Sequence, residues 1–261
     1  MYESADSPLP QPGDVSLREV PIDALSQRIS CRAFIDKPVE DEKTELLREE
    51  MGRINAACGL SFQLFGKHEG KLELNSRMFS SQAPCYLAYV GPQTDQGKEL
   101  VGYFGEHLVL LATSLGLGTC WVAGTFNRKT VEARVAGDEF LHDVIPFGYA
   151  PEKMPFKVRA IRSSIRKRSR SLPSFLPDAD WDQVPAWVRA GIQAVAEGPS
   201  AVNAQPVSFG WNGDALSIRL TKHKLGLEET DLGIAKYNFE LAARAAGHTG
   251  HWQWGDGAQF L

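Results

Sequence analysis

Ala112-Thr-Ser-Leu-Gly116-Leu-Gly118-Thr-Cys-Trp121 and Ala243-Arg-Ala-Ala-Gly247-His-Thr249-Gly-His-Trp252 lie against each other without a gap. Each stretch reads as the end of a helix, a glycine stop, a short turn and a strand carrying Trp. Helix–glycine–strand is a common unit, so one such pair is thin ground. A fainter match in the same order sets Leu60-Ser-Phe62 beside Val207-Ser-Phe209, each after an Ala-containing helix end. Two matches in the same order point to a diverged internal duplication.

The elements around these stretches fit that reading. Residues 21–28 read as a short helix, and Pro38 introduces a second with Asp41 and Glu42 in its first turn and Leu46, Leu47, Met51 and Ile54 on one side. Residues 85–90 form an apolar run suited to a buried strand. Leu100, Val101, Phe104, Leu108, Leu111 and Leu115 recur at threes and fours and predict a long helix stopped at Gly116, with a strand at 119–122 beyond it. The second half repeats the scheme. A helix is predicted at 186–197, two strands flank the turn dipeptide Asn212-Gly213, a helix spans 231–246, and 251–254 is strand-like. The expected division is an arm at 1–20, a first half at 21–171, a Pro/Asp-rich connection at 172–185 and a second half at 186–261.

Composition bounds the function. A chain of 261 residues, 43% hydrophobic and 23% charged, buries an ordinary globular core. A formal net charge of −4 gives no overall pull toward nucleic acid or anionic membranes, so any basic site is local. The expectation is a cytoplasmic protein, since no apolar run follows a basic start and no stretch is long enough to cross a bilayer. Cys31, Cys58, Cys85 and Cys120 are widely spaced with no C-x-x-C pair, which fits reduced thiols rather than a zinc ribbon or disulfide scaffold. His248 and His251 have no third metal ligand nearby in sequence and read as a turn pair. No Ser/His/Asp or paired-carboxylate constellation stands out. Gly116-Leu-Gly118 follows a helix and lacks a third glycine, so it is no dinucleotide fingerprint.

Two stretches carry possible chemistry. In Gln27-Arg28-Ile29-Ser30-Cys31-Arg32-Ala33-Phe34, extended backbone projects Arg28, Ser30 and Arg32 to one side. Two guanidinium groups and a hydroxyl suit a phosphate, although solvated surface arginines would look the same. Gly198-Pro199-Ser200-Ala201-Val202-Asn203-Ala204-Gln205-Pro206 offers small residues and amides that can bond a flat heteroaromatic ring, and reads equally as a capped turn.

Together, R-x-S-x-R-x-F near the start, P-S-x-x-N-x-Q-P after a helix and G-L-G-T-C-W after a long apolar helix resemble the FMN-dependent nitroreductase family. In particular they resemble its single-chain subgroup, the putative TM nitroreductases, where the letters do not mean transmembrane. Asp231-Leu-Gly-Ile-Ala235 and Phe239-Glu-Leu-Ala-Ala243 match that subgroup's second half. The resemblance implies an α+β fold, a three-layer α/β/α sandwich with a mixed sheet, whose two diverged halves form a pseudo-dimer. It also implies bound FMN with NAD(P)H, including NADPH, as donor, and a small electron acceptor such as a nitroaromatic, a quinone or another flavin. Chemistry on one specific metabolite, of the flavin-fragmentation or dehalogenation type, and a non-catalytic flavin- or nucleotide-binding role are the alternatives. No nucleic-acid or membrane partner is expected, and the chain is expected as a monomer or homodimer.

By the same carry-over, Arg28, Ile29, Ser30 and Arg32 would come from one half and Pro199, Ser200, Ala201 and Asn203 from the other, making one complete site per chain. Val122, Ala123 and Gly124 would pass the flavin's reactive edge with their backbone N–H groups, and Arg32 would stand near N1/O2. Arg168 and Arg170, in the basic run 157–170, would serve the phosphate. No side chain is expected to act as acid or base. Ile29 stands where the family often has Arg or His, and Val207 where Trp is frequent.

Overall fold

The structure is a computed structural model in which residues 10, 14–67, 69–166, 170–221 and 225–261 are described. Among the described residues, six helices and seven strands follow in order: α1 Asp23–Gln27, α2 Asp41–Cys58, β1 Gln63–Phe65, β2 Cys85–Pro92, α3 Asp95–Ser114, β3 Gly118–Thr119, β4 Glu139–Gly148, α4 Phe156–Arg166, α5 Ala186–Glu197, β5 Val207–Trp211, β6 Leu216–Leu220, α6 Glu228–Ala245 and β7 Gln259–Phe260. None of the helices described is long and apolar enough to cross a membrane. Short 3₁₀ turns occupy much of the predicted connection, at Leu172–Phe175 and Trp181–Gln183.

The fold is α+β, with a sheet in each half. The first has strand order β1-β2-β4-β3 and the second β5-β6-β7, and every ladder in both is antiparallel. A single bridge between Ser30 and Thr119 adds a parallel contact at the edge of the first sheet and makes it mixed. The halves share one topology. In each, a helix leads into two antiparallel strands, a central helix and a Trp-bearing turn, and then a strand that pairs with the second of the two. The Trp-bearing turn makes an isolated bridge to that last strand in both halves: Val122 with Val144, and Trp252 with Phe260.

The central helices meet at a reciprocal crossing. A Cβ added at Gly102 of α3 would stand 2.0 Å from the Thr230 carbonyl oxygen, and one at Gly233 of α6 would stand 2.0 Å from the Glu99 oxygen. Glycine is therefore required at both points for the backbones to approach. The interval from Gly102 to Gly233 equals that from Gly116 to Gly247 and from Trp121 to Trp252, the register read from the sequence. Gly116 and Gly247 also share the left-handed backbone, at φ 79° and 85°. A self-complementary crossing of this kind is the signature of a two-fold interface, here closed within one chain as a pseudo-dimer.

Nearly every residue of α3 and α6 is buried, so their polar side chains pair across the crossing. Lys236 donates to Glu99 and to the Gln253 and Gly255 carbonyls, Tyr103 donates to Glu240, and His107 joins Tyr237 to Glu50. Apolar cores lie on both sides of this layer. One is built on Phe62, Tyr89, Phe104 and Phe147, and the other on Phe175, Phe209, Phe239 and Trp252.

Two expectations are revised. The strand predicted at 119–122 leaves the ladder at Cys120 and touches it again only at Val122. The sequence reading also left β4 unassigned. Its apolar run carries His142, Asp143 and Pro146, which mask a buried strand. The β2–β4 ladder slips between Tyr89–Asp143 and Val90–Leu141, leaving His142 as the extra residue of a bulge. Bulges re-aim side chains, and the neighbour here is Asp143.

Candidate functional site

A cavity of about 780 Å³ opens between the halves. Its first wall begins where α1 stops. Arg28 turns to extended backbone at φ −62° and ψ 123°, and the chain then runs beside β3, with the Cys31 N–H donating to the Thr119 oxygen at 2.7 Å. That extension projects Arg28, Ser30 and Arg32 along the cavity, with Ile29 also reaching it, while Cys31 is turned into the core. The Arg28 guanidinium donates to the Glu197 carbonyl of α5 at 3.1 Å and lies 3.8 Å from the Glu106 carboxylate, so it ties the halves together. Arg32 makes no side-chain hydrogen bond or ion pair among the described residues, which leaves its guanidinium available to a ligand. Cys31 and Cys120 are inert fillers beside this strip: burial pushes the Cys31 thiol up to about 11 and raises that of Cys120 as well.

The opposite wall is the segment after α5. Pro199, Ser200, Ala201, Val202 and Asn203 all line the cavity. Val202, Asn203 and Gln205 have positive φ (47°, 57° and 47°), the left-handed region that costs a β-branched residue most. The surroundings hold this shape. Ser200 Oγ accepts from the Gln205 N–H at 3.0 Å, the Gln205 amide donates to Ala196 at 2.6 Å, and Asp231 accepts from the Ala201 N–H at 2.9 Å.

Arg170 belongs to that support. Its guanidinium donates to the Gln205 and Val207 carbonyls at 2.9 and 2.7 Å and to that of Ser174, and it stacks over the Phe175 ring. It is not part of the cavity wall, and Arg168 lies outside the described residues. The basic run reaches the cavity instead through Arg162, with Ile165, one helical turn apart on α4. Reading the run as an irregular basic strip missed this. Spaced as a helix, residues 162 and 165 share a face.

A third wall passes through Val122, Ala123, Gly124 and Thr125. The Val122 N–H is taken up by the Val144 carbonyl at 3.1 Å, which corrects the expectation that it faces a ligand. Those of Ala123 and Gly124 have no partner among the described residues, and a Cβ at Gly124 would meet nothing within 4 Å. Arg128 steadies this segment by donating to the Ala123 carbonyl at 3.0 Å.

Carboxyl groups complete the lining. Asp143 of β4 and Asp231 of α6 both face the cavity, and Glu106 of α3 lies behind Arg28. Burial pushes Asp143 up to about 7. Asp231 is raised to about 8 by burial, reinforced by the charges of Asp143 and Glu228. Glu106 is pushed up to about 7 by burial, against the pull of Arg28 and hydrogen bonds from Trp121 and Asn238. These groups are far apart in sequence and were not singled out as a constellation.

Comparison with known proteins agrees with the fold. A family model described as putative TM nitroreductase matches residues 21–243. Among solved structures, a putative nitroreductase from Thermotoga maritima MSB8 aligns over 92% of this chain and 91% of its own, with 21% identity and a TM-score of 0.61. A nitroreductase family protein from Clostridium difficile 630 aligns over 62% of this chain and 98% of its own, with 18% identity and a TM-score of 0.37. The FMN-dependent nitroreductase NfnB from Mycobacterium smegmatis, solved with NADPH, aligns over 53% and 90%, with 15% identity and a TM-score of 0.39. No curated protein matches the sequence. With the family model spanning both halves and the cavity between them, the chain belongs to the putative TM nitroreductase family.

Proposed function

We propose that this protein is an FMN-dependent oxidoreductase that takes electrons from NAD(P)H and passes them to a small acceptor such as a nitroaromatic or quinone. The observation that carries this reading is that one cavity is lined at once by the Arg28–Ser30–Arg32 strip of the first half and by Pro199, Ser200, Ala201 and Asn203 of the second.

The residues present fit the cofactor. Arg32 and Arg162, with the remaining donors of Arg28 and the Ser30 hydroxyl, supply the charge-assisted bonds a phosphate takes. The Ala123 and Gly124 N–H groups, without a partner among the described residues, and the open space at Gly124 suit the polar edge of a flat ring. When bound, FMN would supply the hydride relay between donor and acceptor, so no nucleophile or catalytic triad is required of the protein. The protein's own part is to hold the phosphate with arginine and to line the ring with small residues. The four free, buried cysteines fit a reducing compartment, which supports a cytoplasmic location.

The test is the visible absorption spectrum of the purified protein before and after FMN, and then NADPH under nitrogen. Flavin bands that bleach on addition of NADPH are expected. A protein that takes up no flavin when FMN is supplied in excess overturns the reading.

A further inference from the structure

Asp143 and Asp231 reach the cavity from opposite halves, and neither forms an ion pair among the described residues. Asp143 is 4% exposed, and its Oδ2 has no hydrogen-bond partner among the described residues. Asp231 is 6% exposed and, among the described residues, accepts only from the Ala201 N–H, at 2.9 and 3.1 Å for its two oxygens.

The charge of Arg128 draws on Asp143 without outweighing its burial, and the described basic neighbours spend their donors elsewhere. Arg128, near Asp143, donates to the carbonyls of Leu141 and Ala123. Arg28 lies against Glu106, and neither Arg32 nor Arg162 forms an ion pair with either aspartate. Glu228, beside Asp231, adds repulsion. Among the described residues no cluster of three or more His, Cys, Asp or Glu could hold a metal.

A buried carboxyl either meets a cation or keeps its proton. Here no ion pair among the described residues supplies that cation, and the cavity is the route for a ligand that carries one. We infer that the Asp143–Asp231 wall binds an organic cation, a protonated amine or amidine carried by the small molecule that enters this cavity. One N–H of that cation would satisfy Asp143 Oδ2, and its charge would pair with both carboxylates. This rests on the proposed function only in taking that molecule to be the electron acceptor. Cation binding itself stands on the cavity.

Without ligand, burial raises both carboxyls, Asp143 to about 7 and Asp231 to about 8, so part of the pair keeps its proton near neutral pH. Binding a cation favours the ionised forms and releases protons. Affinity therefore rises with pH across that range, by up to about tenfold per pH unit for each proton released.

The experiment is calorimetric titration of the full chain, with and without FMN, using benzamidine and its neutral isostere benzamide at several pH values. At alkaline pH benzamidine should bind about tenfold or more tightly than benzamide, since bonds between charged groups exceed neutral ones by that much. The gap should narrow as pH falls. Asp143→Asn and Asp231→Asn should each remove most of the preference for benzamidine over benzamide. Asp231→Asn keeps an acceptor for Ala201, and Asp143 does not touch that loop, so a loop defect would not mimic the result in both variants. Equal binding of the two probes, a preference independent of pH, or a preference that survives both substitutions overturns the inference. A protein that takes up FMN but shows no benzamidine preference keeps the proposed function and loses this inference. Benzamidine preference without flavin uptake does the reverse.

Discussion

Arg32 and Arg170 stand near each other in any list of basic residues by motif, yet they do different physical work. The Arg32 guanidinium faces the cavity without a partner among the described residues, whereas that of Arg170 is fastened to three backbone carbonyls and the Phe175 ring. Arg32→Ala should weaken FMN binding about tenfold or more, as loss of a charged hydrogen-bond donor implies, and leave the thermal midpoint nearly unchanged. Arg170→Ala should instead destabilise the fold by roughly 2–4 kcal/mol, because it strands carbonyls and removes packing. Flavin fluorescence titration and urea denaturation of both variants separate the two roles. If Arg170→Ala were as stable as the parent, its assignment to the support of the 200–205 loop would fail.

The buried carboxyls also fix a sign for pH dependence. Asp143, Asp231 and Glu106 hold protons in the fold at pH values where the unfolded chain has lost them, with folded values of about 7, about 8 and about 7. The folded state then binds more protons than the unfolded one, so their contribution is fully present below the ordinary carboxyl range and is lost as pH rises through about 7 to 8. Urea midpoints should fall between pH 5 and pH 8, and Asp143→Asn should flatten that slope. A midpoint that rises over the same range would contradict the assignment.

At the scale of elements, the crossing of α3 and α6 decides how the halves dock. Gly102→Ala and Gly233→Ala each place a Cβ 2.0 Å from a backbone carbonyl oxygen that cannot rotate away, so the helices must part. Each substitution should cost roughly 1–3 kcal/mol or more as overpacking, and the reciprocal geometry predicts similar losses from both. Gly52, on the exposed face of α2, is the contrast, since a Cβ there meets nothing within 4 Å. Gly52→Ala should stabilise by about 0.5–1 kcal/mol through helix propensity alone. Urea denaturation of the three variants gives the comparison, and equal effects at all three would remove the argument for a close crossing. The helices themselves were legible in sequence because their apolar residues repeat at helical spacing and glycine marks their ends. β4 was not, because a buried strand with a bulge and an internal Pro146 has no period to read.

For the whole molecule, the cavity is composite, built from both halves of one chain. The basic strip occurs only in the first half and the Pro199–Ser200–Asn203 segment only in the second, so one FMN per chain is expected, whether the chain is a monomer or a homodimer. Native mass spectrometry of protein loaded with FMN checks this, and two flavins per chain would refute it.

The sequence by itself determined the duplication and its register, the central helices with their glycine stops, and the two motifs that meet at the cavity. All of these rest on local spacing, which covalent geometry and helical or extended periodicity translate directly into structure. Tertiary structure alone decided that Arg162 reaches the cavity while Arg170 braces a loop, that Val144 takes the Val122 N–H, and that Asp143 and Asp231 line one cavity. Those outcomes depend on which groups from distant segments become neighbours as the halves close and water is excluded, and no spacing along the chain encodes that proximity.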